Sequence, residues 1–586
     1  MSDNAQDYLG QPDSNLPPPP PPPVSTLTPT LSIDDIAAVE RLAGLEFSPH
    51  ERELMLPELQ EQLDAYKKLR AVDLPNHLAP ALLFRPEVGR PPTADDRPPN
   101  TDDRPLTADD RPQAAGTEHQ SAAGRLPSAV IGPPSPVRGL DSVAFWSVAE
   151  LAGLIQSRQV TSSELTEMYL ERLKRYDPML HCVVTLTEDL ALEQARRADA
   201  EIASGFYRGP LHGIPWGAKD LLAVQGYPTT WGAGPYRDQV LDLDATVVRR
   251  LEEAGAVLVA KLTLGELAWG DEWFGGKTRT PWNPEEGSSG SSAGSAAATS
   301  AGLVGFSMGS ETWGSIVSPS TRCGVSGLRP TFGRVSRYGA MALSWSMDKL
   351  GPICRTVEDC ALVFAAIHGA DVLDPAAVTR PFAWTGRADL YQLRIGYLAQ
   401  DFEGEYDGKV NDMQTLDLLR KLGANLIPVA LPDYPTDALA LILNVEAAAA
   451  FDELTRTHGV DQLVRQGKES WPAVFRAARL IPAVEYIQMN RVRTLVMQAM
   501  ARLFDEIDVY IAPSFAGSNL LLTNLTGHPA VVVPNGFTDA GLPTTITFTG
   551  HLYDEATVLA VAHTYQQATD RQYGCRFHLM RPPATV

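Results

Sequence analysis

Between residues 287 and 330 the chain carries a density of small residues that excludes most ways of packing it. The first nine residues of this stretch are only glycine, serine and alanine, and a second small-residue run spans 296–301. Gly309-Ser310-Glu311-Thr312-Trp313-Gly314-Ser315-Ile316 comes next, with Pro319 and Cys323-Gly324 beyond it. A flexible linker could have this composition. A linker would not, however, run straight into an apolar, strand-like segment such as Leu303-Val304-Gly305-Phe306. Backbone without bulk can pass close to a ligand or take dihedral angles that other residues refuse. The stretch therefore reads as a site made of main chain and hydroxyl groups.

Upstream lies Gly213-Ile214-Pro215-Trp216-Gly217-Ala218-Lys219-Asp220, a strand-like run ending on a lysine. The segments together resemble the amidase signature family, whose usual form is G-G-S-S-G-G-S-A-A-A, then G-S-D-T-G-G-S-I-R-x-P, then C-G-x-x-G-L-K-P-T. The likeness covers residues 141–586, with the motifs in the family's order and spacing. It implies an α/β fold, a twisted mixed β-sheet sandwiched between helical layers. It also implies an amidohydrolase that needs no cofactor and no metal. The family's lysine base falls on Lys219, its serine preceded by a cis peptide bond on Ser291, and its nucleophile on Ser315.

That set is chemically coherent. A serine hydroxyl is a weak nucleophile until a base takes its proton. Only a neutral amine can do so here, and burial among small groups disfavours the ammonium form. Ser291 would relay the proton, and the N–H groups of Thr312, Trp313, Gly314 and Ser315 would face the carbonyl oxygen as an oxyanion hole. The chain departs from the family pattern at several positions, with Ser289 and Ala293 standing for glycines of the first motif and three more changes around the nucleophile. Glu311 replaces aspartate, Trp313 replaces a glycine of the oxyanion hole, and Val317 replaces the customary arginine.

A chain of 586 residues with 44% apolar content can bury a large core. Its net charge of −22 argues against a general nucleic-acid surface. Five cysteines, Cys182, Cys323, Cys354, Cys360 and Cys575, show no zinc-like spacing and read as free thiols of a reducing compartment. With no apolar targeting segment and no membrane-length apolar run, the expected location is cytoplasmic. The expected state is a monomer or homodimer acting on a small amide.

In chain order, residues 1–30 hold seven consecutive prolines, 17–23, and read as a disordered tail. Residues 31–90 read as a helical extension. Ser32-Ile33-Asp34-Asp35 and Ser48-Pro49-His50-Glu51 look like capping boxes, and Pro57 should start or kink the last helix. This part resembles, weakly, the small C subunit of tRNA-dependent amidotransferases, which wraps around their amidase subunit. Residues 91–140 carry the motif Asp-Asp-Arg-Pro at 95, 102 and 109, a linker-like composition. In the amidase domain, 141–586, helices are expected at 161–175, 189–204, 246–254, 409–422, 436–457, 486–504 and 554–569. Strands are expected at 182–185, 214–218, 257–260, 393–397, 509–513 and 530–534.

Other patterns are weaker. Gly290-Ser291-Ser292-Ala293-Gly294 fits G-x-S-x-G but has no apolar strand before it, so His528, His551 and His563 lose their case as its base. Ser346-Met347-Asp348-Lys349 fits S-x-x-K without companion motifs, Lys261 reads as a structural donor, and Glu266 with Asp271 as satisfied carboxylates. For the substrate pocket the expected residues are Trp216, Trp231, Gly290 and Ser292, with Trp269, Trp273, Phe274 and Trp313 as further aromatics near the motifs. Aromatic walls favour flat apolar groups over a free carboxylate. The reading carried forward is a serine amidohydrolase of hydrophobic or aryl amides, with esters and carbamates open to the same chemistry. The alternatives are the glutaminase subunit of a tRNA amidotransferase and a degenerate fold kept for binding.

Overall fold

The computed structural model describes residues 31–75, 78–82, 139–515, 517–573 and 582–583, so the proline tail, the Asp-Asp-Arg-Pro repeats and Cys575 lie outside the described residues. One eleven-stranded sheet organises the body. Its strands are β1 Val183–Leu186, β2 Pro215–Lys219, β3 Val257–Leu262, β4 Phe306–Glu311, β5 Ser326–Arg329, β6 Lys349–Cys354, β7 Ile395–Leu398, β8 Leu426–Val429, β9 Val509–Pro513, β10 Ala530–Phe537 and β11 Pro543–Gly550. They lie in the order β1-β3-β2-β4-β6-β5-β10-β11-β9-β7-β8. Two parallel groups, β3-β2-β4 and β9-β7-β8, are joined by antiparallel neighbours. The sheet is therefore mixed, as the resemblance implies.

The helices that matter below are α1 Ile33–Ala43, α2 Pro49–Arg70, α3 Ser162–Leu180, α4 Glu188–Ala203, α5 Ala293–Ser300, α6 Val317–Cys323, α7 Leu441–Ala450, α8 Trp471–Ala478, α9 Ala483–Glu506 and α10 Glu555–Tyr573. Strand residues alternate between the sheet's two faces, and the core divides accordingly. Trp216, Ala218, Phe306 and Met308 join one cluster with Val492 and Val496 of α9 and Val558 of α10. Val257, Val259 and Ile353 join another with Leu170 of α3, Ala191 of α4 and Ala296 to Ala298 of α5. The small residues of the opening stretch let α5 lie against the sheet with every side chain from Ala293 to Ser300 buried.

Both N-terminal capping boxes form. Asp35 N donates to Ser32 Oγ at 3.3 Å, and Ser48 N donates to Glu51 Oε2 at 2.7 Å. Pro57 neither starts nor breaks a helix, because α2 runs through it. Met55, Leu59, Gln62, Tyr66 and Leu69 are buried along one stripe of α2, and tertiary packing of that stripe outweighs one missing N–H. The single helix expected at 436–457 is instead a 3₁₀ turn, Asp437–Ala440, then α7, then a short helix Asp452–Arg456 after a break at Phe451 (φ −113°, ψ 31°). Cys182, Cys323, Cys354 and Cys360 are free and buried. Burial pushes the Cys323 thiol up to about 12. Among the described residues no helix is long and apolar enough to cross a membrane.

Candidate active site

Lys219 is the last residue of β2, which lies parallel to β4 with Ala218 opposite Met308. Loops leaving the carboxyl ends of adjacent parallel strands are where α/β sheets hold their ligands. The loop after β4 carries Thr312 to Ile316, and the segment entering α5 carries Gly290, Ser291 and Ser292. These three pieces meet around the Lys219 amine. Its Nζ donates to Ser291 Oγ at 2.8 Å, to Ser310 Oγ at 2.8 Å and to Ser292 Oγ at 3.0 Å. Lys219 is fully buried, and burial holds its amine well below the usual lysine range, although the charges of Asp348 and Glu311 pull the other way. No carboxylate pairs with it among the described residues. Burial among hydroxyls with no paired carboxylate favours the neutral amine, the form able to accept a proton.

The Gly290–Ser291 peptide bond is cis. Gly290 admits no side chain, because a Cβ there would stand 1.8 Å from the carbonyl oxygen of Gly270. Ser292 N donates to the carbonyl of Ser315 at 3.2 Å, tying the two loops together. Ser315 is 7% exposed, and its hydroxyl has no hydrogen-bond partner among the described residues. It lines a cavity of about 870 Å³ together with Ser289, Gly290, Thr312, Trp313, Gly314, Trp269, Trp471, Leu441, Phe515 and Leu520. The main-chain N–H groups of Trp313, Gly314 and Ser315 likewise find no acceptor among the described residues. Gly314 takes φ +88°, a left-handed angle that suits glycine. Trp313 does not have a positive φ, so a tryptophan fits there without backbone strain and leaves its N–H in place. Its side chain is 46% exposed.

The substitutions at 311 and 317 are met by a buried clamp. Glu311 Oε2 accepts from the N–H groups of Ile316 (2.8 Å) and Val317 (3.0 Å), directly after Ser315. Its Oε1 accepts from Arg329 Nη1 (2.7 Å) and Asn524 Nδ2 (2.8 Å). Burial alone would raise the Glu311 carboxyl, but the Arg329 charge and these hydrogen bonds hold it below the usual range. On the other side of the loop, Thr312 Oγ1 donates to Asp348 Oδ1 at 2.6 Å. The sequence reading missed Arg329, Asn524 and Asp348 as supports, and only the Arg329 position, inside a recognised motif, offered any signal.

Three of the four expected pocket residues lie elsewhere. Trp216 is 1% exposed and stacks on Phe306 with centroids 6.0 Å apart, in the core. Its distance of three along a strand from Lys219 puts it on the opposite face. Trp231 packs on Tyr236 and Phe451 outside the cavity wall. Ser292 is fully buried and serves the Lys219 hydroxyl ring, donating to Ser310 O at 3.1 Å. Gly290 does line the cavity. Trp269 and Trp471, in edge contact at 4.8 Å, supply its aromatic wall. Trp273 and Phe274 pack on each other outside it.

The remaining lures are occupied. Lys261 Nζ lies 2.6 Å from Asp220 and donates to Pro228 O and Thr229 Oγ1. Ser346 Oγ bonds Glu446, and Lys349 Nζ donates to Met347 O. Glu266 accepts from Val464 N, and Asp271 from Ser289 N. Glu51, His458 and Asp461 are near enough to hold a cation, but the Arg476 guanidinium already bridges Glu51 and Asp461.

Comparison with known proteins bears on the family and the fold. The sequence profile of the amidase family matches residues 164–559. The chain is 35% identical over 474 residues to the A subunit of the glutamyl-tRNA(Gln) amidotransferase of Methylococcus capsulatus, covering 72% of this chain and 97% of that one. It is also 35% identical over 470 residues to the putative amidase AmiD of Mycobacterium tuberculosis, covering 76% and 97%. Among solved structures, the native peptide amidase of Stenotrophomonas maltophilia superposes with a TM-score of 0.64 at 30% identity, covering 76% of this chain and 99% of that one.

Proposed function

The chain belongs to the amidase family, and from that premise we propose that it is a serine amidohydrolase cleaving the C–N bond of hydrophobic or aryl amides through an acyl-enzyme. The observation that carries this is the buried Lys219 amine within 2.8 Å of Ser291 Oγ, beside a cavity into which Ser315 exposes an unpartnered hydroxyl.

Ser315 Oγ attacks the amide carbonyl carbon while its proton passes to Ser291 and the Ser291 proton passes to Lys219. The carbonyl oxygen takes up the negative charge and is held by the N–H groups of Thr312 to Ser315, whose loop Glu311 keeps in position. The relay then returns a proton to the leaving nitrogen, the C–N bond breaks, and the amine departs. Water attacks the acyl-serine by the same relay, releasing the acid and restoring Ser315.

Trp269, Trp471, Leu441 and Phe515 give the cavity apolar walls suited to flat or aliphatic groups. A second reading, a glutaminase subunit of an amidotransferase, is supported by the relative from Methylococcus capsulatus. A substrate panel under one set of conditions separates them. We expect kcat/KM for a hydrophobic nitroanilide or an aryl carbamate to exceed that for free glutamine. Glutamine as the best substrate would overturn the proposal in favour of the second reading.

A further inference from the structure

The outer wall of the catalytic cavity is not made by the amidase-like body alone. Helix α2 contributes Glu58, Glu61, Asp64, Ala65 and Lys68 to the lining. Positions 58, 61, 65 and 68 share one helical face. The neighbouring stripe of the same helix is fixed to the body. Met55 and Leu59 cluster with Ile36 and Phe47 against Ala477 of α8, while Tyr66 and Leu69 join the main core. Ion pairs Arg476–Glu51 (2.6 Å), Lys68–Asp437 and Arg70–Glu485 hold its length.

The charge of that wall is one-sided. The cavity is lined by the carboxylates of Glu58, Glu61, Asp64, Asp437 and Glu469, and its one cationic lining residue among the described residues is Lys68, which is paired with Asp437. Asp64 lies 3.6 Å from Lys67. Glu58, Glu61 and Glu469 have no cationic partner among the described residues. The same cavity holds the nine-tenths-buried, unpartnered Ser315 hydroxyl, which marks it as a place a ligand enters.

We propose that α2 is part of the substrate site, and that Glu58, Glu61 and Glu469 select amides whose end remote from the scissile bond is cationic or neutral and reject those ending in a carboxylate. This rests on the amide-hydrolysing reading of the same cavity. A cation at the rim gains three carboxylates that have no cationic partner among the described residues, whereas an anion meets their charge with only Lys68, already paired with Asp437, as a cation to offset it. Burial first, then the charges of Glu61 and Glu469, pushes the Glu58 carboxyl up to about 7, and a bound ammonium would return it to its ordinary range.

The test uses the full chain and three nitroanilides of equal chain length whose far ends are trimethylammonium, methyl or carboxylate. At low ionic strength the carboxylate compound should have a kcat/KM about tenfold or more below the ammonium compound, and raising salt should narrow the gap by screening. Glu58→Gln/Glu61→Gln/Glu469→Gln should bring the two within a few-fold of each other. The salt series on the unaltered chain gives the same reading without any variant. Equal rates for all three compounds at low salt, or a gap indifferent to both salt and substitution, overturn the rim. Nitroaniline released from none of the three overturns the amidohydrolase reading itself.

Discussion

The floor and the mouth of the cavity both hold unpaired ionisable groups, yet they resolve them in opposite ways. At the floor, Lys219 is buried among three hydroxyls with no carboxylate paired to it, and burial holds its amine well below the usual lysine range against the pull of Asp348 and Glu311. At the mouth, Glu58, Glu61 and Glu469 also lack cationic partners among the described residues; Glu61 and Glu469 are exposed, while half-buried Glu58 is pushed up to about 7 by its burial and by their charges. The contrast shows that burial, not the choice of residue, decides whether an unpaired group becomes a reagent or a field.

The contrast breaks most completely with Ser315→Ala. Turnover and labelling by a fluorophosphonate should both be lost, a fall of roughly 10⁴-fold or more, since the attacking atom is gone. Retained labelling would mean that another residue attacks. Lys219→Ala should leave the fold intact by circular dichroism and cut kcat/KM by about 10²–10⁴-fold or more, because the proton has no acceptor. In the unaltered chain, activity should fall as pH drops and Lys219 takes up a proton. That acid limb should vanish from whatever activity the alanine variant keeps, and an unchanged pH profile would remove Lys219 from the relay.

Arg329→Met sharpens the comparison from the side of stability. It leaves Glu311 buried with its charge uncompensated, so denaturant unfolding should show a loss of about 3–5 kcal/mol. A loss under about 1 kcal/mol would place the clamp among groups that water can reach. Lys68→Met at the mouth should show the smallest effect, about 0–1 kcal/mol, because Lys68 and Asp437 are both more than half exposed. A larger loss there would erase the distinction between floor and mouth.

What could be read from the residues alone follows the same division. Lys219, Ser291 and Ser315 were singled out by the resemblance to the amidase signature family, not by composition or period; the small residues beside them mark a backbone under tight constraint, such as the 1.8 Å approach that forbids a Cβ at Gly290. Strands and helices with a firm period were legible to within a few residues, as with 509–513 and 409–422. Trp216 was misplaced because nearness in sequence was taken for nearness in space, when strand alternation sends residues three apart to opposite faces. The wall residues of α2 were invisible for another reason. Glu58 lies 257 positions before Ser315, and no local pattern announces a contact across that span. The break at Phe451 and the continuity through Pro57 were likewise set by tertiary packing over local propensity.

Because α2 and Ser315 belong to one polypeptide, the wall never has to be recruited. Tethering keeps such an element at an effective concentration on the order of millimolar, so contacts too feeble to hold a free peptide still keep it seated. A modest hydrophobic cluster and three ion pairs therefore suffice. The cavity-facing side of α2 can then exchange its charges residue by residue, retuning what the cavity admits, while its place over the cavity stays secured by the chain itself.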